Sequence, residues 1–268
     1  MRHILQKLLT IQLILLLPAA LCAESLKSYT FGVFPHLPRH KLYETYLPVT
    51  ENFSKVLNTQ LTLKTQPSFS QFENVLKEEQ FDIALIQPFD FIEAYDNQNY
   101  LPIARRSDPL SSILVVKKDA PFKSLQDLKG KRIANPPESA AVTRLTDRTM
   151  KQAGFDPHND FVRVYKNNHF SCMQSVLINK ADACGTSLRA MYHYEDDMLN
   201  HRLKIVHESE AIPHVLYVAH KRVPKAHRDI LKQTILNWQN TPEGRDILKA
   251  SRMSRFSEAS SQEYEILR

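Results

Sequence analysis

Phe81-Asp82-Ile83-Ala84-Leu85-Ile86 is a short, nearly continuous apolar run. A strand with one wet face alternates, so a run like this reads as a strand buried on both faces of a parallel sheet. Just upstream, Phe69 to Lys77 puts Phe72, Val75 and Leu76 on one helical face. Leu61-Thr62-Leu63-Lys64-Thr65 alternates as a half-buried strand does. Between Leu42 and Leu57 the apolar residues Tyr46, Val49, Phe53, Val56 and Leu57 recur at helical spacing. Tyr29 to Phe34 is β-prone and stops at Pro35. Strands and helices in alternation around a two-face-buried strand predict an α/β architecture.

Downstream the pattern repeats. Strands are predicted over 112–116, 131–134, 161–165, 181–185, 204–206 and 215–219, with helices over 140–153 and 169–179. Ser124 to Gly130 reads as one helical turn with an N-capping Ser and a stopping Gly. From Lys225 onward the tail is predicted helical, interrupted at Pro242. There is no Pro/Gly/Ser-rich linker, internal repeat or low-complexity segment.

The first residues set the compartment. Arg2 and Lys7 precede the apolar stretch Leu8 to Leu17, and Pro18-Ala19-Ala20-Leu21-Cys22-Ala23 follows with small residues. A stretch this short suits a signal peptide rather than a membrane span of about 20 residues. Residues 1–23 are therefore expected to be removed on export to the periplasm. Cys22 raises the alternative of a lipoprotein, against which Leu21 speaks, since lipidation needs a small residue there. The remaining chain of about 245 residues suffices for a sizeable core. Its net charge falls from +6 to +4 once Arg2 and Lys7 are gone, with no basic block. Nucleic acid is not an expected partner.

Catalytic chemistry is not apparent. With five glycines the chain has no phosphate loop, and it has no nucleophile elbow or His-Glu-x-x-His. The eleven histidines do not fall at metal-ligand spacing, so neither a metal nor a cofactor is expected. Asp196-Asp197 reads as a solvated turn. The chain is not expected to be an enzyme. Cys172 and Cys184 either pair in the oxidising compartment or stay as buried thiols.

Ala120 to Ala134 (APFKSLQDLKGKRIA) resembles the segment of type II periplasmic binding proteins in which a small helix leads through Leu-Lys-Gly-Lys into a strand. Gly32-Val33-Phe34-Pro35, Asp82 to Pro88 and Glu208 to Pro213 follow in the order seen in the phosphate/phosphite/phosphonate-binding proteins of ABC importers. The resemblance spans roughly Ser28 to Leu248. It implies two α/β lobes, each a mixed sheet flanked by helices, joined by two crossing strands. Lobe one would comprise 24–113 and 211–268, and lobe two 114–210. It further implies a monomer that closes on a small anion and delivers it to an ABC permease. The alternative is a related sensor that partners a two-component histidine kinase and detects a sulfur oxyanion or thiophilic ligand, with Cys172 as the thiol.

The family's Ser-Thr-Ser-Gly anion run aligns with Ser139-Ala140-Ala141-Val142, which leaves one hydroxyl and the helix N-terminus. His169 matches a family histidine at another helix start and is the leading binding residue. Ser112 is retained. Gln87 opens the stretch in which Phe91 takes an aromatic position, Ser187 stands where an Asp is frequent, and His214 replaces a usual Asn. Loss of that Asp argues against an aminophosphonate. These nine residues (Gln87, Phe91, Ser112, Ser139, Ala140, Ala141, His169, Ser187 and His214) form the expected ligand site.

Overall fold

The computed structural model describes residues 28–193 and 201–268. The expected signal peptide, Cys22 and Asp196-Asp197 lie outside the described residues.

Strands β1 (Tyr29–Val33), β2 (Leu61–Lys64), β3 (Ile83–Ile86) and β4 (Tyr100–Arg106) build one sheet with the returning β10 (Leu216–His220) and β11 (Phe256–Glu258). Its order is β11-β4-β10-β3-β1-β2. Strands β5 (Ile113–Lys117), β6 (Arg132–Asn135), β7 (Val162–Tyr165), β8 (Ala183–Thr186) and β9 (Leu203–Glu208) form the other, in the order β7-β6-β8-β5-β9. The two repeat one plan: a central strand (β1 or β6) pairs in parallel on both sides, and an antiparallel strand follows. Ile83 to Ile86 is buried along its whole length, as its unbroken apolar run requires.

Helices α1 (Arg39–Leu57), α2 (Phe69–Lys77) and α3 (Pro88–Asn97) serve the first sheet, as do α7 (Lys225–Asn237) and α8 (Pro242–Ala250). Helices α4 (Ala141–Gln152), α5 (His169–Leu177) and α6 (Leu188–His193) serve the second. The lobe-one core is aromatic: Phe53 stacks on Trp238 with centroids 5.8 Å apart, and both meet Tyr217 edge-on. Gly32 lies so close to Phe81 that an added Cβ would fall 2.6 Å from the ring. Two segments connect the lobes. They pair where Leu110 and Ile212 exchange backbone hydrogen bonds, each 2.9 Å.

The structure departs from the sequence reading in three places, the smallest being α6, to which the sequence reading assigned no helix. Residues 88–106 hold α3 and β4, which the apolar pattern does not reveal. In β4, Pro102 sits opposite a register shift in β10, where a missing N–H is tolerated, and two arginines end the strand. The tail is not helical throughout: after α8 the chain returns as β11 along β4, then forms a 3-10 turn over Ser261–Leu267. Sheet-edge pairing with β4 there outweighs local helical preference.

Candidate functional site

The parallel strands of both sheets end toward the same region, where open α/β sheets bind ligands. From lobe one come the turns after β1 and β2, and from lobe two the turn after β6, the first turns of α4 and the turn before α5. A cleft of about 900 Å³ opens there, lined by Pro35, Ser68, Phe69 and Ser70 on one side and Ser139, Arg144, Asp147 and Asn167 on the other.

The start of α4 is where Ser-Ala-Ala-Val was expected to cradle an anion. Ala140 is the N-cap and offers no side chain for the task. Instead, the Gln87 amide reaches over from the start of α3. Its oxygen accepts the Ala141 N–H at 2.8 Å, and its Nε2 donates to the Ser139 carbonyl at 3.3 Å and to Asp90 at 3.2 Å. Gln87, Ser139, Ala140 and Ala141 are thus brought together. The first free donor of the helix is served by the opposite lobe.

Carboxylates crowd the same seam. Arg144 of α4 lies 3.5 Å from Glu73 and 3.7 Å from Asp90. Burial and the nearby Glu73 push the Asp90 carboxyl up to about 7. Burial also raises Glu73, against the pull of Arg144.

On α5, Asn168 caps the helix through a reciprocal box with Ser171, which fixes His169 as its first residue. The His169 ring bonds the Thr186 hydroxyl at 2.7 Å through Nδ1. One turn on, Cys172 is disulfide-bonded to Cys184 of β8. With its sulfur bonded, Cys172 offers no thiolate, so the thiophilic alternative loses its chemical basis in this form of the protein.

Three expected residues serve other ends. Phe91 packs in the lobe-one core, fully buried, with its ring 4.8 Å from Tyr264; as an apolar ring on the inner face of α3 it does not reach the cleft. Ser112 is buried against Thr146 at 2.6 Å. The Thr146 hydroxyl donates to Val142, so the Ser112 hydroxyl is the donor in that pair. Ser187 accepts the Ala190 N–H and so starts α6.

His214 leads to residues that sequence reasoning missed. It follows the crossing strand and lies 3.4 Å from the Arg106 guanidinium, itself buried at the end of β4. Arg106 is doubly bonded to Asp108, at 2.8 and 3.3 Å. Arg189 of α6 approaches the same Asp108 oxygen at 4.0 Å from the other lobe. Burial and the nearby Arg106 lower the Arg189 pKa to about 10. Burial, with both guanidinium groups, holds His214 well below the usual histidine range, so it is neutral. Tyr46 of α1 lies within the field of both arginines. The adjacent pair Arg105-Arg106 was the one available signal, and without a strand assigned there it pointed nowhere.

Among the described residues no group of three or more His, Cys, Asp or Glu side chains is placed to hold a metal, and no helix is long and apolar enough to cross a membrane.

The chain matches the family described as "ABC transporter, phosphonate, periplasmic substrate-binding protein" over residues 31–264. It is 22% identical over 246 residues to the phosphonates-binding periplasmic protein of Escherichia coli (strain K12), covering 87% of this chain and 73% of that one. Among solved structures it resembles PhnD1 from Prochlorococcus marinus in complex with methylphosphonate, with a TM-score of 0.80 at 18% identity, covering 90% of this chain and 96% of that one. It also resembles XAC2383 from Xanthomonas citri bound to ATP, with a TM-score of 0.74 at 14% identity, covering 90% and 95%. These likenesses establish the two-lobed type II periplasmic-binding-protein fold. Matched along nearly all of its described length, the chain belongs to the family of periplasmic substrate-binding proteins of phosphonate ABC transporters.

Proposed function

We propose that this protein is exported by its N-terminal 1–23 segment, captures a small oxyanion between its lobes, and delivers it as a monomer to an ABC permease. The observation that carries the reading is the polar seam where α3 of one lobe meets the start of α4 of the other, beside a cleft of about 900 Å³. A ligand held between the lobes touches both, and one that binds the shut form better than the open form draws the lobes together. No enzymatic step is part of the proposal. The disulfide removes the free Cys172 thiol that the thiophilic form of the sensor alternative needs, and delivery to a permease is favoured because the family is that of ABC-transporter substrate-binding proteins.

The test is a thermal-shift panel of phosphate, phosphite, methylphosphonate, sulfate and small carboxylates near 1 mM. A ligand of micromolar affinity adds roughly 4 kcal/mol of stability at that concentration. That raises the melting point by several degrees. A clear shift with a phosphorus or sulfur oxyanion is the expected result. No shift with any anion overturns the reading.

A further inference from the structure

We propose that the anion is held by a lobe-bridging cluster of Arg106, His214 and Arg189, and that the protein therefore selects simple oxyanions and rejects those carrying an amine. The inference rests on the capture reading above and names the ligand class for it.

Donor bookkeeping at His214 leads to the site. Its Nδ1 accepts the Val215 N–H at 2.7 Å. A neutral imidazole has one acceptor and one donor nitrogen, so Nε2 carries the hydrogen. Among the described residues, the group within hydrogen-bond range of Nε2 is Nη1 of Arg106, at 3.4 Å, and a guanidinium has no lone pair to accept it. Two donors thus stand side by side, and an oxygen with spare lone pairs is what satisfies both.

Charge points the same way. Arg106 and Arg189 share Asp108 as their carboxylate partner among the described residues, and Ser254 also donates to that oxygen. Among the described residues, two positive charges against one negative leave the cluster cationic. Arg106 is largely buried, where an uncompensated charge interacts more strongly than in water. The cluster also joins the lobes, because Arg106 ends β4 of one sheet and Arg189 lies on α6 of the other.

Closure brings the two guanidinium groups toward one another, which opposes the shut form. An oxyanion between them turns repulsion into attraction, so the ligand itself drives closure. The start of α4, occupied by Gln87, is then a lobe latch rather than the main anion holder. An ammonium group placed in this field is repelled, which excludes aminoalkyl-phosphonates.

The experiment is calorimetric titration of the signal-less chain with phosphate, sulfate, methylphosphonate and 2-aminoethylphosphonate. It uses the wild type, Arg189→Gln and Arg189→Lys, changed on a half-exposed helix so that folding is retained. The expected result is binding of at least one simple oxyanion, at least tenfold weaker in Arg189→Gln and less affected in Arg189→Lys. Methylphosphonate should bind at least tenfold tighter than 2-aminoethylphosphonate. Oxyanion affinity unchanged within twofold in Arg189→Gln overturns the inference and leaves the capture reading standing. Equal affinity for the amino compound does the same. A wild type silent to all four overturns both.

Discussion

The side-chain oxygen of Gln87 accepts the backbone N–H of Ala141 at 2.8 Å, across 54 residues of sequence and from one lobe to the other. A helix that begins with Ala140 and Ala141 lacks a cap of its own, and this amide supplies one. Gln87 also holds the Ser139 carbonyl, so one buried side chain secures the seam at two points.

Gln87→Ala is expected to loosen the shut form. Each lost hydrogen bond costs about 1 kcal/mol. Water replaces the amide only if the lobes separate. Small-angle scattering of the unliganded variant should give a larger radius of gyration than the wild type; an identical value contradicts the latch.

Asp90 makes stability depend on pH. Its carboxyl sits at about 7 in the folded protein and near the ordinary carboxylate value when unfolded. The folded state therefore binds the proton more tightly. The resulting stability is complete below pH 4 and is lost as pH rises toward 7. Asp90→Asn should remove this loss, so its stability relative to wild type should rise by about 2 kcal/mol between pH 5 and pH 8. Urea unfolding of both proteins at the two pH values measures it, and a constant difference refutes the assignment.

His169→Ala breaks the bond to Thr186 and removes the residue that the family resemblance marks for ligand contact. Ligand affinity is expected to fall by about 1–3 kcal/mol. Titration with whichever oxyanion proves to bind checks this. Unchanged affinity would make His169 a purely structural partner of Thr186.

The Cys172–Cys184 bond ties α5 to β8 across a sequence separation of 12. In the chain-entropy account a loop of that size is worth about 3 kcal/mol. The double variant Cys172→Ala/Cys184→Ala should melt several degrees lower while still folding. A thiol count on the denatured wild type should show no free Cys172 or Cys184 without reductant.

Much of the fold was legible because its signals are local. Strand β3 declares itself by four consecutive buried apolar residues, and α1 by apolar residues spaced along one face. The starts of α4 and α5 followed from such elements, whereas the two connecting segments were implied only by the family resemblance. Strand β4 was not legible: Pro102 and two arginines mask it, and only pairing with β10 and β11 makes it a strand.

The candidate site divides along the same line. The sequence by itself determined that His169 and Ala141 stand at helix starts, since caps and periodicity act over a few residues. It left open whether Cys172 meets Cys184, and the family resemblance offered Phe91 and Ser112 to the cleft without the means to see which way they turn. Tertiary structure alone decided that Gln87 caps the opposite lobe and that Arg106 lies beside His214, 108 residues away. Those contacts depend on how two sheets are held by the crossing strands at Leu110 and Ile212. Charge and hydrogen-bond partners at a cleft are set by distances between lobes, and no local pattern in the chain encodes such a distance.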